Sequence, residues 1–257
     1  MERMAGGSSW EGDARGPALF AGVRALVFDV DGTLYRPGPV RRGVLLRFLA
    51  AHALRPWAAR GALRALLCYR RVQEDLRAQA ESCDLATAQL EIAAARSGIA
   101  ADRLAALVQR WMEQRPLALM RRARREGLLE FLEKARGRGL RLGAVSDYPA
   151  AEKLHALGVA EDIQAVACAQ DRDVGLFKPH PRGLELVLGR LGVAARDALF
   201  VGDRACIDGE AARRAGTAFA LIGGRDEDLA TLRTEGLRGA ACASYPALAA
   251  ALWPAPS

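Results

Sequence analysis

Ala25-Leu26-Val27-Phe28-Asp29-Val30-Asp31-Gly32-Thr33-Leu34 is an apolar run that stops at two acids and a glycine. From Arg24 to Asp29 it reads as a short buried strand, and Asp31-Gly32 reads as the turn that ends it. What lies on either side decides the fold. After Gly127 the chain alternates between short apolar runs and helical periods. Strands are expected at 140–145, 163–168, 198–201, 217–222 and 240–243. Helices are expected at 150–157, 181–191, 209–215, near 226–235 and at 245–252. Alternation at intervals of roughly 30 residues builds parallel βαβ units and a doubly wound sheet.

Between Pro39 and Gly127 no strand is expected. Apolar residues recur every three or four positions, as in Leu63, Leu66, Leu67 and Tyr69, or Leu104, Leu107, Val108 and Trp111. That spacing marks three or four amphipathic helices. Pro56 suits a first helical position, and Pro116 should end or kink a helix. Residues 1–18, rich in Gly and Ser, are expected to be a mobile leader. The division is then 19–35 and 128–257 as an α/β core, with 36–127 as a helical insertion.

The chain of 257 residues is 51% hydrophobic, which excludes intrinsic disorder. No apolar run reaches the eighteen residues that suggest a membrane span, and the first twenty residues lack a secretory apolar segment. Cys68, Cys83, Cys168, Cys206 and Cys242 are odd in number and widely spaced. They point to reduced thiols and a cytoplasmic setting rather than a disulfide or zinc framework.

Ligands of open parallel sheets collect beyond the carboxyl ends of the strands. The chain delivers Asp29 and Asp31 there from the first strand and Ser146 from the second. Lys178 follows the third, and Asp203 with Asp208 follows the fourth. Four carboxylates at one edge call for a hard divalent cation, and Mg²⁺ suits a site that also holds phosphate. A carboxylate can attack phosphorus, and a second carboxyl two residues on can serve as acid and base. A hydroxyl and an ammonium can hold the phosphoryl oxygens. Taken singly, Ser146 would be a turn residue and Lys178 a solvated lysine.

Together, D-V-D-G-T-L at 29–34, Ser146, Lys178-Pro179 and G-D-x-x-x-x-D at 202–208 resemble the four ordered motifs of the haloacid dehalogenase superfamily. L-G-V at 157–159, F-K-P at 177–179 and L-F-V-G-D at 199–203 extend the likeness. The resemblance implies a Rossmann-like fold with Asp29 as nucleophile and Asp31 as general acid/base. Ser146 and Lys178 would bind the phosphoryl group. Asp29, the carbonyl of Asp31 and Asp203 would hold Mg²⁺, with Asp208 nearby or acting through water. The 117 residues from Asp29 to Ser146 imply a helical cap of the C1 class, which would exclude water over the site.

Within the superfamily, Asp31 argues against a dehalogenase, which has no phosphate leaving group to protonate. The absence of lysine from 36–126 argues against a phosphonatase, and Val30-Asp31 after the nucleophile argues against a transport ATPase. A phosphatase acting on a small phosphorylated metabolite is the expectation. A sugar phosphomutase is the rival, and a non-catalytic binding module using the basic insertion is the alternative of another class. Tyr35-Arg36-Pro37, Asp147 and Arg204 depart from the usual pattern, and Asp147 beside phosphate needs a partner or must point away.

His52, His155 and His180 lack ligand or triad spacing, and Cys206 reads as a small loop filler whose oxidation could disturb the metal site. Trp57 and Trp111 fit helical core faces. Arg121, Arg122, Arg124 and Arg125 read as a solvated face, or as an anchor for a distal anionic group. Residues 36–126 hold eighteen arginines against eight acids, a net +10. The rest of the chain holds nineteen bases and twenty-two acids, a net −3. The charge thus points to a positive lid over an acidic site, shaded by an arginine-rich composition. A nucleic-acid or membrane partner is disfavoured, and no feature sets the oligomeric state.

Overall fold

The computed structural model describes residues 20–54 and 56–254. Six parallel strands form one sheet. They are β1 (Ala25–Asp29), β2 (Arg141–Ser146), β3 (Ala165–Cys168), β4 (Ala198–Gly202), β5 (Ala218–Ile222) and β6 (Gly239–Cys242). Their order is β3-β2-β1-β4-β5-β6. The chain winds outward from β1 to β3 and then returns to lay β4 on the other side of β1. That reversal opens a crevice beyond β1 and β4, where ligands of such sheets bind.

Period-two alternation gives each strand two apolar faces. Leu26 and Phe28 enter a core with Leu128, Phe131, Leu142 and Tyr245. Ala25 and Val27 enter another with Val187, Leu191, Phe200 and Phe219. The covering helices are α6 (Leu128–Gly137), α7 (Ala151–Leu157), α8 (Arg182–Leu191), α9 (Glu210–Ala215), α10 (Ala230–Thr234) and α11 (Tyr245–Leu252). The chain is therefore an α/β protein with a Rossmann-like parallel sheet, as the alternation predicted.

The helical insertion comprises α1 (Pro37–Ala51), α2 (Pro56–Gln79), α3 (Leu85–Ser97), α4 (Ala101–Val108) and α5 (Arg115–Ala123). The last two are one bent helix joined through a wide π turn, Gln109–Gln114. Pro116 has no N–H to continue the ladder, and widening the preceding turn accommodates the loss. Pro56 opens α2 as expected. Phe48, Tyr69, Val72, Leu104 and Trp111 form the insertion's own core, joined by Phe177 from the sheet side. Its neck is a short antiparallel bridge between Tyr35 and Arg124.

Some expectations fail. Trp57 is 79% exposed, because it lies at the start of α2, away from the packed face. Cys206 is exposed and fills nothing. The run of arginines divides. Arg121 and Arg122 face solvent, whereas Arg124 reaches the Leu157 carbonyl at 2.8 Å and Arg125 the Gly32 carbonyl at 2.9 Å. The break falls at the helix end, where Arg124 leaves α-helical geometry and the chain turns back into the sheet.

Candidate active site

β1 ends at Asp29, and the next five residues fold back on it. Thr33 Oγ donates to Asp29 Oδ2 at 2.9 Å. Gly32, at φ +110°, brings the backbone so close to Asp203 that a Cβ there would lie 1.9 Å from Oδ2. Only glycine permits that approach. Gly202 is equally constrained, since its Cβ would meet that of Asp208 at 2.4 Å. Both glycines exist to let carboxylates converge.

Asp29, Asp203 and Asp208 each place an oxygen within 4.8 Å of the other two. Lys178 donates to Asp29 Oδ1 and, at 2.7 Å, to Asp208 Oδ1. The Asp208 Oδ2 accepts the Arg204 amide at 3.1 Å. Asp203 Oδ1, by contrast, is buried with no hydrogen-bond partner among the described residues. A buried orphan carboxylate oxygen is costly unless something electropositive meets it.

The electrostatics agree. Burial lifts Asp29 well above the usual carboxylate range; Lys178 opposes this, while Asp208 and Asp203 add to it. Burial, and then Asp208, push Asp203 up to about 6. Burial disfavours the charged form of Lys178, but Asp208 and Asp29 outweigh it and hold the ammonium firmly protonated. With all three carboxylates ionised, one ammonium would leave two negative charges over, so the cluster could hold further positive charge. Oxygen donors with a surplus of two negative charges fit a hard divalent cation.

Asp31 lies apart from this cluster. Lys153 Nζ meets its Oδ2 at 2.5 Å, and the Tyr35 hydroxyl donates to its Oδ1. Burial raises Asp31, but Lys153 and Tyr35 outweigh it and hold the carboxyl below its ordinary range. Water tempers the burial, because the side chain is 36% accessible from the cleft.

Ser146 ends β2 one step beyond the register partner of Asp29. It is 1% exposed, with its Oγ accepting the Tyr148 amide at 3.3 Å. It lies behind the wall of the cleft, whereas Asp29, Asp31, Asp203, Asp208 and Lys178 all line it. Asp147 is paired, as its position demands. Arg77 of α2 donates to its Oδ2 at 2.7 Å and to the Lys178 carbonyl at 2.8 Å. Arg77 thus fastens the insertion to two of the loops that carry the site.

Lys153 and Arg77 are neighbours of the site that motif reading passed over, whereas Tyr35 was read only as a departure from the usual pattern and Arg125 only as part of the arginine run. For Lys153 a signal existed. It is one of three lysines and stands four residues before Leu157 on the buried face of α7. Arg77 had none, since Asp147 lies 70 residues away.

A family model for haloacid dehalogenase-like hydrolases matches residues 23–216. The chain belongs to the haloacid dehalogenase-like hydrolase family. Over 68 residues it is 41% identical to a phosphoglycolate phosphatase of Yersinia pseudotuberculosis. That stretch is 25% of this chain and 28% of the relative's length. Among solved structures, a 2-haloacid dehalogenase from Pseudomonas syringae pv. Tomato superposes with a TM-score of 0.54 at 22% identity. The match covers 78% of this chain and 86% of that one. A β-phosphoglucomutase from Clostridium difficile gives 0.54 at 14% identity, covering 87% and 92%. These likenesses establish the fold. No helix among the described residues is long and apolar enough to cross a membrane.

Proposed function

We propose that the protein is a Mg²⁺-dependent phosphatase that hydrolyses a phosphate monoester through an aspartyl phosphate on Asp29. The observation that carries this reading is the orphaned Asp203 Oδ1 beside Asp29 and Asp208. Asp29, Asp203 and the backbone carbonyl of Asp31 would hold the cation, with Asp208 behind them. When bound, Mg²⁺ would neutralise the surplus charge and lend electrostatic stabilisation to the phosphoryl oxygens.

The chain's own groups do the rest. Thr33 fixes Asp29 Oδ2, which leaves Oδ1 to attack once Lys178 turns from it to a phosphoryl oxygen. Ser146, behind the cleft wall at the end of β2, would bind the phosphoryl group only by turning its hydroxyl toward the cleft. Asp31 starts ionised, in contact with two proton-bearing groups, Lys153 and Tyr35. It takes a proton from water in the second step as it stands. The proton it gives the leaving oxygen in the first step comes to it from one of those contacts or from solvent. The cap held by Arg77 limits competing water.

Purified protein should release phosphate from 4-nitrophenyl phosphate on addition of Mg²⁺. Asp29→Asn should abolish this release. No phosphate release from metal-replete protein with this ester or a broad metabolite panel would sink the reading. A phosphomutase would show a stable aspartyl phosphate and sugar-phosphate isomerisation with little net hydrolysis.

A further inference from the structure

The cleft above the carboxylates is larger and more apolar than a phosphoryl group requires. Its volume is about 470 Å³, within the ~300–1,000 Å³ span of pockets that enclose drug-sized ligands. Apart from the Glu74–Arg77 pair on α2, charge gathers in two places. Acids and lysines line the floor at the sheet edge, and the exposed Arg41, Arg70 and Arg204 stand at the rim. Between them the cap contributes Val40, Val44, Phe48, Leu66, Met112 and Met120. None of these side chains carries a strong hydrogen-bond donor.

Of the neutral polar groups of the cleft, the Tyr35 and Tyr148 hydroxyls are engaged, while the Gln73 amide nitrogen and the Trp111 indole N–H have no partner among the described residues. Tyr148 donates to Gln73 at 2.8 Å and accepts from Gln89 at 2.9 Å. Arg77 is taken up by Asp147 and the Lys178 carbonyl. A hydroxyl-rich body would find only the Gln73 and Trp111 donors and would bury its other hydroxyls against methyl groups, at a cost that disfavours it. At the mouth, Leu45, Leu63 and Leu67 line the same cleft while 48%, 42% and 47% exposed. The apolar wall therefore continues from the cap interior to solvent along α1 and α2.

We propose that the substrate is a phosphate monoester whose alcohol is an extended apolar group. The phosphate sits on the carboxylate floor, and the apolar body lies along α1 and α2 and leaves past Leu45, Leu63 and Leu67. This names the substrate class of the phosphatase reading and rests on it. The reaction consumes one water, breaks the phosphorus–oxygen bond to the alcohol, and yields inorganic phosphate and the free alcohol. The rim arginines complement the dianionic ester as it approaches.

The test is kcat/KM of the full chain with Mg²⁺ for n-alkyl phosphates from ethyl to octyl, each below its micellar concentration. Phosphoglycolate and glucose 6-phosphate are run beside them. Each added methylene should raise kcat/KM by up to about fourfold until the cleft is filled. Both polar phosphates should fall below the butyl ester. In Leu63→Glu and Leu67→Glu, at exposed positions that tolerate charge, the octyl-to-ethyl ratio should collapse toward one. Phosphatidate in phosphatidylcholine vesicles presents the same chemistry in a bilayer. A higher value there, or for free octyl phosphate, supports the assignment and identifies the source. A flat chain-length series, or a preference for the polar phosphates, with 4-nitrophenyl phosphate still hydrolysed, would overturn the apolar assignment alone. Inactivity toward every ester, 4-nitrophenyl phosphate included, would overturn the phosphatase reading and this one with it.

Discussion

Gly32 allows the metal-site reading to be tested without touching a carboxylate. A Cβ at this position would lie 1.9 Å from Asp203 Oδ2 and 2.5 Å from its Cγ. Ordinary contact begins near 3.4 Å, so in Gly32→Ala the carboxylate must retreat by about 1.5 Å. Asp203 is the free end of a flexible side chain, so the fold should survive. The retreat nevertheless carries its oxygen away from Asp29 and Asp208. Misplacement by about 1 Å at a reacting centre costs about 100-fold in rate, and kcat/KM should fall by at least that much. The φ of +110° adds about 1–3 kcal/mol of backbone strain. Gly139→Ala supplies the control, because Gly139 has φ +72° and nothing within 4 Å of a Cβ. Both variants should lose stability, but only one should lose the metal. At a hundred times its dissociation constant, Mg²⁺ should stabilise the wild type by about 2.7 kcal/mol, or about 5–10 °C in Tm for a chain of this size. Gly139→Ala should keep that shift and Gly32→Ala should lose it. If Gly32→Ala retained both the shift and wild-type turnover, the three carboxylates would not be the metal site.

Lys178→Met removes the only ammonium from a buried cluster of three carboxylates and should destabilise the metal-free protein by about 3–5 kcal/mol in urea unfolding. Mg²⁺ should recover part of that loss, and equal losses with and without metal would argue against a shared site. Arg77→Met and Asp147→Asn, at a pair whose side chains are 7% and 14% exposed, should couple by about 0.5–3 kcal/mol in a double-mutant cycle. Additive effects would show that Arg77 does not fasten the cap through Asp147. Asp203 titrates near 6 in the fold instead of 3.8. A carboxyl raised on folding confers stability that is complete below its unfolded value and lost as pH rises through the folded one. The metal-free protein should therefore weaken between about pH 4 and 6, by no more than about 3 kcal/mol before water at the cleft is allowed for. Mg²⁺ should flatten that slope, and a metal-free Tm that rises across the same window would contradict the assignment.

The sheet was legible because its signals are local. Each strand is a short apolar run with a turn residue after it, and the predicted helix at 245–252 coincides with Tyr245–Leu252. Boundaries slipped where pairing mixes backbone and side chain. Gln164 lies outside β3, yet its amide donates to the Leu142 carbonyl at 2.9 Å while its side-chain Oε1 accepts the Leu142 amide at 2.8 Å. The carboxylate floor was legible for a different reason: glycines at 32 and 202 and acids at 29, 203 and 208 are dictated by close approach. Nothing local announces which residues meet across the cap. Leu63, Leu66 and Leu67 show helical periodicity equally well whether they face a core or a cleft. In the fold, Leu66 is 9% exposed while Leu63 and Leu67 line the mouth. Trp57 was misplaced by the same ambiguity.

The positive charge of the cap acquires two distinct uses once its arginines are placed. Arg77, Arg124 and Arg125 bond carbonyls or Asp147 across the junction with the sheet, so their charge is spent on holding the cap in position. Arg41 and Arg70 stand exposed at the cleft, and their charge faces an incoming anion. An apolar ester carries all of its charge at one end, so a cationic rim and an apolar wall do not compete for the same atoms. The rim attracts the phosphate during approach, in water, where such attraction is long-ranged and sensitive to salt. The wall acts only after the body is buried, where salt has little effect. Binding then divides into an encounter governed by arginines and a seating governed by leucines. That division would explain why so basic a surface can serve a cleft whose upper wall is apolar.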